Sequence, residues 1–247
     1  MDPTVWRVEH FDEIDSTNTY VKDRADEPEG LVALADFQTA GRGRMDRSWL
    51  SPPRSSLLCS ILLTPGLESD QLQLVVALVA LSARSALERL SGLRAALKWP
   101  NDLVVDGDKL AGLLAEIVSH GNELRVVVGI GVNLTYDGPE DVAATSVLAQ
   151  TGLTIAPRAL LDILLEEIDV RRALLNDVDG RLALREEYVI ALATLGQHVR
   201  VEQSDETVQG IAVGVDEEGR LRVDVDGVVR TFSVGDVVHV RAGQEQR

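Results

Sequence analysis

Four apolar runs follow one another at residues 97–99, 103–105, 110–118 and 124–128, with Asp106-Gly107 and Gly121-Asn122 as tight-turn signals between them. Strands joined this closely run antiparallel, because a parallel crossover takes a dozen residues or more. The meander commits the chain to a sheet, and segment 70–90 has the length and composition of a buried helix to cover it. Upstream, 6–11 and 31–36 read as strands, and between them Ser16, Thr17 and Asn18 offer N-cap oxygens for a short helix. A further buried strand is expected at 57–63. Helices and strands are interleaved, which predicts an α/β (α+β) domain.

After Asn133 the pattern turns helical, with candidates at 141–150, 157–176 and 179–195, and Gly196 closing the last. Short alternating segments then follow at 199–203, 208–215, 221–225, 228–232 and 237–240, separated by Asp-Glu-Glu-Gly and Asp-Gly turns. They predict a small β-barrel of about 50 residues. The boundary falls at Gly196, giving units of 1–196 and 197–247. A chain of 247 residues with 45% hydrophobic content has enough apolar material for both.

Several function classes are disfavoured. The richest apolar stretch, 72–81, is about half the ~20 residues of a membrane span. The first ten residues lack a signal-peptide pattern, so the expectation is a soluble, cytoplasmic protein. Cys59 is the only cysteine and the four histidines have no zinc-site spacing, which excludes an internal disulfide and disfavours a protein-held metal. A net charge of −16 repels a nucleic-acid backbone over most of the surface, so any polyanion site has to be local and lined by arginine. Of 24 basic residues only Lys22, Lys98 and Lys109 are lysines. Lys22, on a helix expected to be exposed, needs no chemical role. The acid-rich, lysine-poor composition also suits a salty cytoplasm, which a requirement of folding for molar salt would reveal.

Residues 37–54 are rich in Gly, Arg, Ser and Pro without periodicity and read as a long loop, a feature often tied to function. Within it Gly41-Arg42-Gly43-Arg44-Met45-Asp46-Arg47 sets three arginines among glycines that permit close approach to an anion. The plain alternative is a basic surface turn. Ser16-Thr17-Asn18 suits a neutral polar group, although by itself it is an ordinary helix start. Lys98-Trp99-Pro100-Asn101-Asp102 precedes Lys109-Leu110-Ala111-Gly112, which places Lys109 beside a strand whose Gly112 leaves room for a ligand. An edge-strand lysine that discourages aggregation is the competing reading. Gly129-Ile130-Gly131-Val132-Asn133 ends another strand with two glycines and an asparagine, which by itself is also compatible with a bulge.

In this order the blocks resemble the biotin protein ligase family. The resemblance runs from Ser16-Thr17-Asn18 through Gln38-Thr39-Ala40-Gly41-Arg42-Gly43-Arg44, Trp49, Ser51-Pro52, the Lys98 and Lys109 blocks to Gly129 and Asn133. It implies a mixed-sheet, class II synthetase-like catalytic domain followed by a C-terminal SH3-like barrel. The bifunctional branch begins with a winged helix-turn-helix, and a motif starting by residue 16 gives the expectation of a monofunctional enzyme without that domain or repressor function.

The implied activity is ATP-dependent: biotin becomes biotinyl-5'-AMP and is passed to a lysine of a biotin carboxyl carrier protein or carboxylase domain. By resemblance, Ser16, Thr17, Asn18, Gln38, Gly41, Arg42, Gly43, Arg44, Lys109, Gly112 and Gly131 bind biotin. Arg44, Arg47, Trp49, Lys98, Asn101, Asp102 and Asn133 serve ATP, with Mg²⁺ arriving on the nucleotide near Asp102. Lys109, Arg42 and Arg44 are the catalytic set, as cations that offset the meeting of two anions. A homodimer is common in relatives. Met45-Asp46 stands where many relatives have a further basic residue and a glycine, which predicts looser retention of the adenylate. The competing readings are a lipoate or octanoate ligase or transferase of the same superfamily, a non-catalytic biotin-binding protein, and, from the terminal barrel alone, an interaction module.

Overall fold

In the computed structural model, residues 5–45, 47–120, 123–203, 206–233 and 235–239 are described; Asp46, the Gly121-Asn122 turn and Val240 lie outside them. β1 (Arg7–Phe11) and β2 (Leu31–Ala35) pair in parallel around α1 (Thr17–Lys22), and β3 (Ser56–Leu63) returns antiparallel to β2. α2 (Leu72–Ser91) follows and ends at Gly92, whose φ of 73° is left-handed and whose N–H bonds the Glu88 carbonyl. β4 (Ala96–Lys98), β5 (Asp102–Val105), β6 (Asp108–His120) and β7 (Glu123–Asn133) form the meander read from the sequence. β7 closes against β3, so the mixed sheet runs β1-β2-β3-β7-β6-β5-β4.

Alternation divides the sheet into two faces. All eight residues of β3 are buried, with Leu57, Cys59, Ile61 and Leu63 in the main core and Leu62 in a second cluster with Val21 of α1. The main core holds α2, α4 (Pro157–Arg172) and α5 (Val178–Ala191) against one face. α1 covers part of the other face and leaves the rest open for a site. Among the described residues, no helix is long and apolar enough to cross a membrane.

Two helical expectations are shortened by tertiary pairing. Of 141–150 only α3 (Val147–Thr151) is helical: the backbone before it bonds Lys109, whose N–H donates to Ala143 (2.9 Å) and whose carbonyl accepts from Thr145 (3.0 Å). The helix expected at 179–195 stops at Ala191, because Leu192 bridges Leu97 and Ala193 N–H donates to the Leu97 carbonyl on the edge strand β4 (2.8 Å). Gly196 therefore does not cap that helix; with φ of 75° it turns the chain toward the second sheet.

That second sheet holds β8 (His198–Glu202), β9 (Thr207–Val215), β10 (Leu221–Val225), β11 (Val228–Phe232) and β12 (Asp236–His239), all antiparallel in the order β11-β10-β9-β8-β12. One hydrophobic cluster runs from α2 through Leu97 and Trp99 to Val199, Val201 and Val223. Trp99, 1% exposed, fastens the two sheets: its backbone N–H donates to Thr194 Oγ1 (3.0 Å) and its indole N–H to the Gly219 carbonyl (3.1 Å).

Two stability outcomes follow from this packing. Leu81→Ala, at a fully buried position of α2, is expected to cost about 2–5 kcal/mol in denaturant unfolding. Glu167 lies between Arg171 (2.7 Å) and Arg89 (2.8 Å). Burial pushes its carboxyl up, and hydrogen bonds from Arg171 and then Arg89 outweigh this and hold it below its ordinary 4.5. The stability it brings is thus present above about pH 4.5 and lost as pH falls through the lowered native value. In thermal melts, Glu167→Gln should lower Tm at pH 7 and show a shallower acid limb than the wild type.

Candidate functional site

Sheet register builds the floor of the site. Lys98 faces Asp102, Asp102 faces Gly112, Gly112 faces Gly131, and Gly131 faces Leu58, so one cross-strand row spans five strands. Two residues along β3 lies a second row, Ser60–Gly129–Leu114. Two residues the other way, Ser56 faces Asn133. Above this floor is a cavity of about 500 Å³, closed on one side by the start of α1 and on another by the loop after Gln38.

Lys109 reaches this face through a defect. Strict alternation along β6 would turn Lys109 away from Gly112, three residues on. The β5–β6 pairing slips between Leu103 and Val104, so Lys109 pairs with Val104 while Leu110 and Ala111 both enter the core. The lysine chain then folds over Gly112, where a built Cβ would lie 3.0 Å from its Cε. Its Nζ is 2.8 Å from Asp102 Oδ1, an ion pair without the alignment of a hydrogen bond.

One end of the cavity is neutral and polar. The Ser16 hydroxyl makes no capping bond, which removes the simple helix-start account of Ser16-Thr17-Asn18. Gln38 Oε1 instead accepts from Thr17 N (2.7 Å) and contacts Thr17 Oγ1 (3.0 Å). Ser60 Oγ lies 2.7 Å from Thr17 Oγ1 and 2.5 Å from Asn18 Oδ1. These three oxygen–oxygen contacts share only the two hydroxyl protons, since neither amide oxygen carries one. The cluster is one donor short, and a ligand N–H would complete it.

The other end is cationic. Arg44, Arg47, Lys98 and Lys109 line it, and Arg42 lines the cavity nearer Asn18, with which it shares Glu116; Asp102 is the one acidic side chain among the described lining residues. The loop that carries the arginines folds on itself, with Gly43 N–H bonding the Arg47 carbonyl (2.7 Å) and Trp49 N–H the Gly41 carbonyl (3.0 Å). Gly41 lies behind the cavity wall, where a Cβ would meet the Trp49 carbonyl oxygen at 2.5 Å. Arg44 donates to Asn101 Oδ1 (3.1 Å) and to the Gly235 carbonyl of the second sheet (3.3 Å). Asn101 in turn donates to the Leu113 carbonyl (2.5 Å). Asn133 donates to the Thr145 carbonyl (3.1 Å) and so braces the segment beside Lys109. Asp46, on which the expectation of looser retention partly rests, is outside the described residues; Met45 adopts a left-handed φ of 53°.

Trp49 lies across the glycine floor. A Cβ on Gly131 would sit 2.4 Å from its ring and one on Gly112 3.1 Å, and Lys109 Nζ is 5.7 Å from the ring centre. The room above these glycines is thus taken by the indole, whose buried Nε1 has no partner among the described residues. His239 of the second sheet stands beside the charged end; burial, and then the charge of Lys98, hold its imidazole below the ordinary histidine value.

All the site residues foreseen from the sequence except Gly41 line this one cavity. Two supporting residues, Ser60 and Glu116, were not foreseen, and Gly129 was read only as part of a glycine-bearing strand end. Gly129 admits the Asn18 amide, Ser60 joins Thr17 to Asn18, and Glu116 receives Asn18, Lys22 and Arg42. Glu116 was legible in part, since 112, 114 and 116 alternate onto the pocket face; its partners were not. Lys22 is correspondingly not an idle exposed lysine, with Nζ 2.7 Å from Glu116 Oε1.

Residues 10–133 match the Biotin/lipoate A/B protein ligase family and residues 194–240 the Biotin protein ligase C terminal domain. The Mycobacterium tuberculosis (strain ATCC 25618 / H37Rv) biotin--[acetyl-CoA-carboxylase] ligase is 36% identical over 221 residues, which cover 86% of this chain and 80% of that protein. The Escherichia coli (strain K12) bifunctional ligase/repressor BirA is 30% identical over 233 residues, 91% of this chain and 71% of that protein. Among solved structures, a biotin protein ligase from Aquifex aeolicus in complex with biotin and ATP superposes with a TM-score of 0.82 at 28% identity, covering 96% of this chain and 99% of that one.

The close approach at Gly129 is directly testable. A Cβ there would fall 2.0 Å from Asn18 Oδ1. Gly129→Ala is expected to destabilise by about 1–3 kcal/mol, as overpacking does, instead of giving the gain usual for replacing a strand glycine. In denaturant unfolding the cost should shrink in an Asn18→Ala background.

Proposed function

This chain belongs to the Biotin/lipoate A/B protein ligase family, and from that premise we propose how its own residues carry out the ligation. The protein is an ATP-dependent biotin protein ligase. The observation that carries the residue assignment is the polarity of one cavity: a donor-deficient neutral end, a glycine floor and an end lined by Arg44, Arg47, Lys98 and Lys109.

Biotin enters with its ureido group at Thr17, Asn18, Ser60 and Gln38, whose missing donor its N–H supplies, and with its carboxylate toward Arg44 and Lys109. The carboxylate oxygen attacks the α-phosphorus of ATP; that O–P bond forms, the bond to the β-phosphate's bridging oxygen breaks, and pyrophosphate leaves. The two reacting groups are both anionic, so Lys109 and Arg44 lower the barrier by holding positive charge where negative charge concentrates. The Asp102 partner fixes Lys109 Nζ over Gly112. Trp49 moves with its loop to admit the ligand and then covers the adenylate, with Nε1 as a donor for it.

A deprotonated carrier lysine then attacks the acyl carbon, forming the amide as AMP departs. The acceptor is a carboxyl carrier domain of a biotin-dependent carboxylase, in the cytoplasm where ATP and that carrier meet. Mg²⁺ would arrive with ATP and shield its phosphates, and Asp102, the one acidic side chain among the described lining residues, would be the carboxylate to hold it. Gly235 and His239 extend the second sheet to that end, which supports a role for the C-terminal unit, bounded near Gly196, in closing the site.

Exchange of labelled pyrophosphate into ATP tests the reading. Biotin, and neither lipoate nor octanoate, is expected to support exchange in the wild type, with Lys109→Ala reducing it about 10²–10³-fold. Exchange supported only by lipoate or octanoate would assign a different acid, and tight biotin binding without exchange would make the protein a binder.

A further inference from the structure

The carboxylate of Glu116 collects groups from three places in the chain. Lys22 Nζ, at the end of α1, lies 2.7 Å from Oε1. Asn18 Nδ2, at the start of α1, lies 3.0 Å from Oε2. Arg42 Nη1, on the loop, lies 3.3 Å from Oε1 and 3.4 Å from Oε2. The Glu116 side chain is 17% exposed and is not part of the cavity wall, whereas Asn18 and Arg42 are. We propose that Glu116 is a positioning residue for the acid substrate, orienting the Asn18 amide and holding the Arg42 end of the loop across the neutral end of the cavity without touching the ligand. The substrate named in this proposal rests on the ligase reading above.

Two physical reasons support it. An amide can turn end for end at little steric cost, and what selects an orientation is the donor or acceptor character of its neighbours. An ionised carboxylate only accepts, as does the Leu114 carbonyl 3.3 Å from Asn18 Nδ2, so both demand the NH₂ group and Oδ1 is turned to Ser60. That orientation commits the Ser60 proton to Asn18 and leaves the single Thr17 hydroxyl proton for two contacts, with Gln38 Oε1 and Ser60 Oγ, so the donor deficit falls at Thr17. Glutamine at 116 presents acceptor and donor alike, which leaves the weaker contact to the Leu114 carbonyl as the selector. Second, the loop is fixed in its middle by Arg44 on Asn101 and further along by Trp49 over the glycines; Arg42 on Glu116 fixes its beginning. Lys22 keeps the acceptor ionised: burial pushes Glu116 up, and the hydrogen bonds from Lys22 and Asn18 more than reverse it.

The test compares the full chain with Glu116→Gln and Glu116→Asp in biotin-dependent pyrophosphate exchange, reading KM for biotin, KM for ATP and kcat separately. Glu116→Gln should raise the biotin KM about fivefold, the size of a partly exposed charged contact. KM for ATP and kcat should stay within twofold, because Asn101, Asp102 and Lys109 keep their contacts. Adding Arg42→Gln should raise the biotin KM less than the product of the two single effects, as expected of coupled residues. A biotin KM within twofold of wild type, or biotin and ATP KM rising together, overturns the proposal. Should Glu116→Gln fail to fold, Glu116→Asp, which keeps the charge but withdraws the carboxylate by one methylene, is held to the same KM split. Absence of exchange in the wild type would remove the ligase reading alone, and calorimetric titration of biotin into wild type and Glu116→Gln would then decide positioning on the same fivefold criterion.

Discussion

A single slip in the β5–β6 register is the constraint on which the site depends. It lets Leu110 and Ala111 both face the core and so turns Lys109 onto the same face as Gly112 and Asp102. With unbroken alternation the lysine would be aimed at the helix-covered face, where an unpaired ammonium is costly. The row Lys98–Asp102–Gly112–Gly131–Leu58 then fixes what surrounds it: an anion that orients it, two residues without side chains, and an apolar wall.

Charge in this protein is organised locally against its global sign. The chain carries −16, yet five cations line the cavity with one acidic side chain among its described lining residues. A generally acidic surface repels polyanions at long range, while clustered guanidinium and ammonium groups bind phosphate or carboxylate at contact distance, where screening is weak. The positive side chains are also held by neighbours, Arg44 by Asn101 and Gly235, Arg42 by Glu116 and Lys109 by Asp102, which limits the ordering left to occur on binding.

The two sheets are joined through the same motif that serves the site. Lys98, Asn101 and Asp102 face the cavity, while Trp99 between them is buried and bonded to Thr194 and Gly219. The second sheet thus reaches the charged end by way of a residue in the core. Replacing that tryptophan would disturb core and site together, so its contribution to one is not separable from the other.

Most of the fold was legible because hydrophobic period and turn residues are local properties of a chain: the meander, the long helix and the five C-terminal strands all lie where those patterns place them. The chemistry-bearing blocks each had a plain structural alternative taken singly, and it was their order along the chain, through its resemblance to the ligase family, that singled them out. What local pattern could not carry was pairing between distant segments. Residues 141–146 have a helical look but are drawn straight by Lys109, and 192–195 leave their helix for β4. The sequence by itself thus determined that any anion site is local and arginine-lined, and the order of its motifs, through the resemblance they carry, indicated which residues meet there. Only the tertiary structure decided which way Lys109 points, that Trp49 fills the floor, and that Glu116 gathers Asn18, Lys22 and Arg42, because each depends on register or on contacts spanning tens of residues.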